Sequence, residues 1–148
     1  MALKTRLLDD IKQAMRAGDK ARLGTLRMAS AAIKQREVDD RVEADDALVL
    51  AVIEKMIKQR RDSAEQYRAG QRADLAEVEE AEIEILQPYL PEPLSEAEIA
   101  SLIDQAIAET DASGMQAMGA VMGLLKPKLQ GRADMGAVSG LVRARLAG

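Results

Sequence analysis

The sequence has no cysteine, no histidine, no phenylalanine and no tryptophan, and each absence removes a class of function. Without Cys and His there are no disulfides, no cysteine or histidine zinc ligands and no Ser-His or Cys-His nucleophile. Base stacking on aromatic rings has almost nothing to use, because Tyr67 and Tyr89 are the only aromatic residues. The composition therefore favours binding over independent catalysis, and we expect no catalytic residue, no metal and no cofactor.

Long hydrophobic runs are also missing. No apolar stretch approaches the roughly 20 residues needed to cross a bilayer, and Leu7-Leu8 is followed at once by Asp9-Asp10, which is too charged for a signal-peptide core. We therefore expect a cytoplasmic protein with no membrane contact. The 148 residues and 47% hydrophobic content are sufficient for an aliphatic core in one domain or two helical subdomains.

The net charge of −4 conceals three zones. Residues 1–72 hold 16 basic and 12 acidic side chains, whereas residues 73–112 hold 12 acidic side chains and no Lys or Arg. Residues 113–148 hold 5 basic side chains and 1 acidic one. A partner that bears phosphate could contact either end and would be repelled by the middle.

Apolar residues recur at three- and four-residue steps along nearly the whole chain, which predicts an all-α fold of seven helices. Gly18 should close the first helix, and Asp19 and Asp134 should cap the second and last. Ser95-Glu96-Ala97-Glu98 has the pattern of a capping box. A turn is expected at Ala112-Ser113-Gly114.

Three prolines, Pro88, Pro91 and Pro93, predict an extended linker, because proline opposes helix in its neighbourhood. The predicted organisation is an N-terminal helical subdomain over residues 1–87, a Pro-rich linker over 88–94 and a C-terminal bundle over 95–148.

The long third helix carries a basic stripe formed by Lys58, Arg61, Arg68 and Arg72, with Lys55 just outside it. This second basic surface could follow a phosphate backbone. Acidic residues share the same side at the spacing of intrahelical ion pairs, so an ordinary solvated face is the alternative. Arg60 projects on the apolar side instead, where it needs a carboxylate or carbonyl partner or must reach water, and is interpreted as a structural anchor.

The segment from Met115 to Asp134 carries the other candidate site. Gly119 and Gly123 each cost a helix about 1 kcal/mol relative to Ala, which indicates a close neighbour, either another helix or a ligand. Pro127 is expected to end the helix. A loop would then present Lys126, Lys128 and Arg132 to phosphate. The alternative is that the lysines interact with the helix dipole and Arg132 pairs with an acid.

The carboxylates of residues 74–84 crowd one helix and look like a solvated face, with site chemistry as the alternative.

At this point the motifs resemble the GatB/YqeY family over essentially the whole chain. The residues that carry the resemblance are Leu26-Arg27, Ile33-Lys34, Glu37, Ile57 to Ser63, Tyr67, Gly70, Asp74 to Ala76, Ile85-Leu86, Tyr89 to Pro91, Leu94-Ser95 and Met118 to Asp134.

The resemblance implies a long N-terminal helical hairpin or bundle followed by a smaller helical bundle. The latter is similar to the tail of the B subunit of the tRNA-dependent amidotransferase, a tRNA-contacting appendage. The positions that match the tail's role are Lys126, Lys128, Gly131 and Arg132, with Gly119 and Gly123 allowing close approach. The family often has Lys where this chain has Ala120.

The leading hypothesis is thus a stand-alone module that binds tRNA or another structured RNA. Two alternatives remain open. One is an amidotransferase or its accessory, with carbon-nitrogen ligase activity and glutamine as amido-N-donor; the other is a protein-docking adaptor with a protein partner. The oligomeric state is open.

Overall fold

A computed structural model describes residues 2–110 and 114–147. Within those residues it is all-helical, with seven α-helices and no strand, as the periodicity predicts. The helices are α1 (Ala2–Ala17), α2 (Lys20–Asp40), α3 (Asp46–Ala69), α4 (Ala73–Leu86), α5 (Glu96–Thr110), α6 (Met118–Leu129) and α7 (Met135–Ala147).

The predicted signals at Gly18, Asp19, Ser95 and Asp134 are confirmed. Gly18 leaves α1 with φ +70, and the Asp19 carboxylate accepts a hydrogen bond from the backbone N–H of Arg22 at the start of α2. The capping box at α5 is complete: the Ser95 hydroxyl accepts from the Glu98 N–H, and the Glu98 carboxylate accepts from the Ser95 N–H. The pKa of Glu98 is lowered by these bonds. At α7, Asp134 accepts from the N–H of Gly136.

The chain divides between Leu90 and Pro91 into two compact units, each of which has its own core. In the N-terminal unit α1 to α4 pack together, and α3 with α4 form the most extensive pair. The largest fully buried side chains of this unit are Leu7, Leu26, Val49, Ile53, Ile57 and Leu86. The core is aliphatic, as the composition requires.

Arg60 fastens α3 to α4, as predicted for a cation on the apolar side. Its side chain is 13% exposed, and its Nε donates to Glu82 Oε2 at 2.7 Å. The guanidinium also donates to the Met56 carbonyl oxygen. The anchor is thus satisfied by both a carboxylate and a carbonyl.

The Pro-rich segment is less extended than predicted. Gln87–Tyr89 forms a 3₁₀ turn that continues directly from α4. Pro88 is tolerated there because the first positions of a helical turn need no backbone N–H donor. Tyr89 is buried, at 4% exposure, and holds this turn against the N-terminal unit. The boundary between the units lies within residues 88–94.

In the C-terminal unit α5, α6 and α7 surround a second core. Its fully buried side chains include Ile103, Val121, Leu125, Leu129 and Val142. The turn predicted at Ala112-Ser113-Gly114 lies mostly outside the described residues; Gly114 itself has φ +78.

The prediction that Pro127 ends α6 is wrong. The helix continues to Leu129, and the Gln130 N–H still bonds to the Lys126 carbonyl. Proline removes one bond to the carbonyl four residues earlier, that of Gly123, which is exposed and can be hydrated. Burial of Leu129 at 0% exposure favours the extra turn.

Candidate nucleic-acid interface

Lys126 and Lys128 lie in the last turn of α6, not on a loop as expected. Both side chains are exposed, and neither forms an ion pair with any residue that the structure describes. Residues two apart on a helix point about 160° away from each other. The two lysines therefore lie on opposite flanks of α6, and a single ligand group cannot bind both at once without wrapping the helix end.

Gly119 and Gly123 share the flank of Lys126, because the three positions fall within about 60° on the helix. Both glycines are exposed, and a Cβ placed on either would meet nothing within 4 Å. The expectation that another helix packs closely on them is therefore wrong for the described residues. The flank is an open, flat strip of backbone with an ammonium group at its end.

Gly131 and Arg132 stabilise the turn between α6 and α7. Gly131 is buried with φ +77, a left-handed conformation that a side chain would strain. Arg132 donates through Nε to the Glu92 carbonyl oxygen at 3.2 Å, and its own carbonyl accepts from the Leu94 N–H at 2.9 Å. The pair fixes the proline-rich segment to the turn between α6 and α7, so Arg132 is only partly available to a ligand.

The remaining cations of the C-terminal unit are on α7, where sequence reasoning assigned no site. Arg145 is paired with Asp104 of α5. Arg143 is exposed and has no ion pair among the described residues. The free positive charge that the structure describes in this unit thus comes from Lys126, Lys128 and Arg143.

The second basic surface on α3 is largely neutralised. Arg68 makes two hydrogen bonds to Glu80 of α4, at 2.8 and 2.9 Å, and Lys58 pairs with Asp62 at 3.6 Å. Arg72 lies beyond the end of α3, because Gln71 adopts φ +62, and it pairs with Asp74. The Arg72 hydrogen bond lowers the pKa of the Asp74 carboxyl.

Only two members of the α3 stripe, Lys55 and Arg61, are left exposed without an ion pair in the described part of the chain. Three of the acidic residues between 74 and 84 form ion pairs with arginines: Asp74, Glu80 and Glu82. These carboxylates neutralise arginines on α3 and just after its end. The described residues hold no group of three potential metal ligands.

Sequence reasoning missed a polar cluster around Tyr89. The Tyr89 hydroxyl donates to Asp10, and the Arg6 guanidinium lies 4.6 Å from the centre of the tyrosine ring. Arg6 also donates to the Pro88 carbonyl oxygen, and Arg22 lies 3.8 Å from Asp10.

A cavity of about 410 Å³ adjoins the Tyr89 cluster. Burial, reinforced by the bond to Asp10, raises the pKa of the Tyr89 hydroxyl above its ordinary value. Each polar group in the cluster is already paired. The cluster ties α1 and α2 to the segment after α4, and a lone tyrosine between prolines was its only sequence signal.

These observations define a class: a helical protein of two units, in which the cationic groups of the predicted site lie at the end of one helix of the second unit. The chain belongs to the YqeY-like protein family, which it matches over residues 4–146. No helix in the described residues is long and apolar enough to span a membrane.

Curated relatives support this membership. The chain is 34% identical over 130 residues to "Altered inheritance of mitochondria protein 41, mitochondrial" of Pyrenophora tritici-repentis, covering 86% of this chain and 71% of the relative. Proteins of the same name from Lachancea thermotolerans and Vanderwaltozyma polyspora are 39% and 38% identical over 106 and 85 residues. Those matches cover 70% and 57% of this chain, which spans 57% and 46% of the two relatives.

The expectation of a cytoplasmic location is wrong, because these relatives are named as mitochondrial proteins. The sequence argument used only the lack of an apolar leader, and an apolar leader is a secretory signal that says nothing of other compartments.

Proposed function

We propose that the chain is an RNA-binding module whose ligand is tRNA or another structured RNA, contacted by the Lys126 flank of α6. One observation carries the proposal: an ammonium group without an ion pair in the described residues stands beside two exposed glycines that nothing covers. A sugar-phosphate backbone could approach such a strip closely. The chain has almost no aromatic residues, so recognition would depend on phosphate and shape and not on base stacking.

Lys128 would extend the positive potential around the same helix end. Arg132 would contribute mainly by holding its turn in place. The lysines also offset the negative end of the α6 dipole, which is worth about 0.3–1 kcal/mol each. A test must therefore separate the loss of RNA binding from the loss of helix stability.

The experiment is a gel-shift titration of tRNA with the full chain and with the double variant Lys126→Glu and Lys128→Glu. We expect the double variant to bind tRNA at least tenfold more weakly at ~0.1 M salt. Each phosphate contact adds about 0.7–0.9 to the slope with which the logarithm of affinity falls as the logarithm of salt concentration rises. The charge-matched control is Lys55→Glu and Arg61→Glu. Thermal melts of each variant establish that it is folded at the assay temperature.

Three outcomes would contradict the proposal. One is the absence of binding by the unmodified chain at tens of micromolar and low salt, where even non-specific contacts register. Another is an equal loss of tRNA affinity in the α3 control variant, because the weaker binding would then result from the change in total charge and not from the loss of a specific contact. The third is a protein partner that is retained after nuclease treatment while no RNA is bound. Glutamine-dependent amidation of Glu-tRNA by the purified chain would instead favour the enzymatic alternative.

A further inference from the structure

The outer face of α2 carries an evenly spaced row of cations that the sequence reasoning did not single out. Lys20, Arg27 and Lys34 follow one another at seven-residue steps, and Arg41 stands at the C-cap after a further seven. Seven residues are almost two helical turns, so Lys20, Arg27 and Lys34 shift by only about 20° at each step and rise by about 10.5 Å. Arg41 follows at the end of the helix in the left-handed conformation, with φ +56. The row is roughly 30 Å long.

The row points away from the core of the N-terminal unit. The buried residues of α2, among them Leu26, Ala29 and Ile33, lie on the opposite side of the helix. All four cations are exposed. Between them stand the small exposed residues Gly24 and Ala31, and a Cβ on Gly24 would meet nothing within 4 Å.

Of the three acids within α2, Asp39 and Asp40 lie about 130° around the helix from the centre of the row. Glu37 borders the row, three residues from Lys34; the hydrogen bond from Lys4 and, to a lesser degree, the positive charge of Lys34 lower the Glu37 pKa. Each is engaged elsewhere: Glu37 binds Lys4 of α1, Asp39 accepts from Gln35 and Asp40 binds Arg36.

Many other cations of the unit are paired, although Lys12, Arg16, Lys55 and Arg61 are also exposed without an ion pair in the described residues. Lys4, Arg22, Arg36, Arg60, Arg68 and Arg72 all form ion pairs with described carboxylates. None of the four cations in the α2 row does so within the described part of the chain. The row is a line of four exposed cations without an ion pair in a protein whose net charge is −4.

We propose that the α2 row, defined as Lys20, Arg27, Lys34 and Arg41, is a contact surface for the sugar-phosphate backbone of RNA. This inference rests on the proposed function and adds to it a second contact on the other unit. A straight line of charge over roughly 30 Å is complementary to a polyanion that carries one charge per nucleotide. The small residues between the cations let such a backbone lie close to the helix.

An anionic membrane surface fits the row less well. Helices that bind at a membrane surface insert an apolar face beside their cations. On the outer face of α2 the large apolar side chains are Val38, which is 64% exposed, and Leu23, which is half-buried. The charges of this face are suited to a partner that is bound at phosphate groups without insertion.

The test measures tRNA affinity by fluorescence anisotropy across a salt series, for the full chain and for the double variant Arg27→Gln and Lys34→Gln. We expect roughly tenfold or greater weakening at ~0.1 M salt, and a log–log salt slope shallower by about 1.4–1.8, because two phosphate contacts are removed. The matched control, Lys55→Gln and Arg61→Gln, also removes two exposed unpaired cations from the same unit and should leave the slope unchanged.

A second arm uses Lys126→Gln and Lys128→Gln, which separates this inference from the proposed function. If only the α6 variant weakens binding, the proposed function stands and the α2 contact is refuted. If only the α2 variant does so, the α2 contact stands and the α6 site is refuted. If the α2 variant loses binding to vesicles containing phosphatidylserine while its tRNA affinity is unchanged, the row is a lipid contact and the inference is overturned.

Discussion

The burial of one ion pair between α3 and α4 should make it far stronger than a second pair of the same kind between the same helices. Arg60 with Glu82 has side chains that are 13% and 23% exposed, whereas Arg68 with Glu80 has 50% and 45%. Both are arginine–glutamate pairs with an N–O distance of 2.7 Å. They differ in exposure to solvent and in geometry, since Arg68 makes two hydrogen bonds to Glu80 and Arg60 makes one to Glu82, so a stronger Arg60 pair would have to come from burial.

The magnitude follows from that difference. A hydrogen bond to a charged group that is largely shielded contributes about 1.5–3 kcal/mol, so the coupling energy between Arg60 and Glu82 should fall in that range. An exposed pair contributes about 0–1 kcal/mol, because water and salt screen it and two long side chains lose entropy. We therefore expect the coupling of Arg68 with Glu80 to be smaller by at least about 0.5 kcal/mol.

Two double-mutant cycles measure these energies from urea unfolding, with Ala at each position alone and together. The bond from Arg60 to the Met56 carbonyl is lost in both mutants that lack Arg60, so it cancels from the coupling. Adding ~0.5 M salt should reduce the Arg68–Glu80 coupling and leave most of the other. Equal couplings in the two cycles would refute the reasoning that burial sets the strength of these pairs.

Three further outcomes follow from the structure. Gly123→Ala should stabilise the chain by up to about 1 kcal/mol, since the position is helical and open, and should weaken tRNA binding if backbone approaches that flank; thermal melts and anisotropy measure the two effects. Gly131→Ala should destabilise the folded chain by about 1–2 kcal/mol, because φ at this position is +77. The variant should keep its tRNA affinity while it is folded. A weaker affinity in the folded variant would indicate that Gly131 contacts the RNA directly. Hydrogen bonds from Lys4 and from the Ala44 N–H lower the pKa of Glu37, so its stabilising effect should be present above the ordinary glutamate pKa of about 4.3 and be lost as pH falls below it. The difference in free energy of unfolding between the unmodified chain and Glu37→Gln should therefore vanish at acid pH. A difference that persists there would contradict this assignment.

Features that depend on neighbouring residues could be predicted from the sequence. Asp19, Ser95 and Asp134 cap their helices because a short polar side chain reaches N–H groups two or three residues away. The need of Arg60 for a partner was equally clear, since its position on the apolar side of α3 fixed its direction. The identity of that partner, 22 residues away, could not be predicted.

Features decided by tertiary packing could not be predicted. Pro127 is a reliable local stop, yet burial of Leu129 carries α6 past it. The basic stripe on α3 had the correct spacing, but its pairing with Glu80 depends on how α4 lies against it. The α2 row differs from the α3 stripe. Its seven-residue spacing can be seen in the sequence, but only the structure shows that the nearby acidic residues form hydrogen bonds or ion pairs with other residues.

The most direct test of the central claim is the salt dependence of tRNA binding by the unmodified full chain. We expect measurable binding at ~50 mM salt. The logarithm of the association constant should fall linearly as the logarithm of salt concentration rises, at a slope of about −2.8 or steeper for two phosphate contacts on each unit. Binding that does not respond to salt, or no binding at all under these conditions, would contradict it.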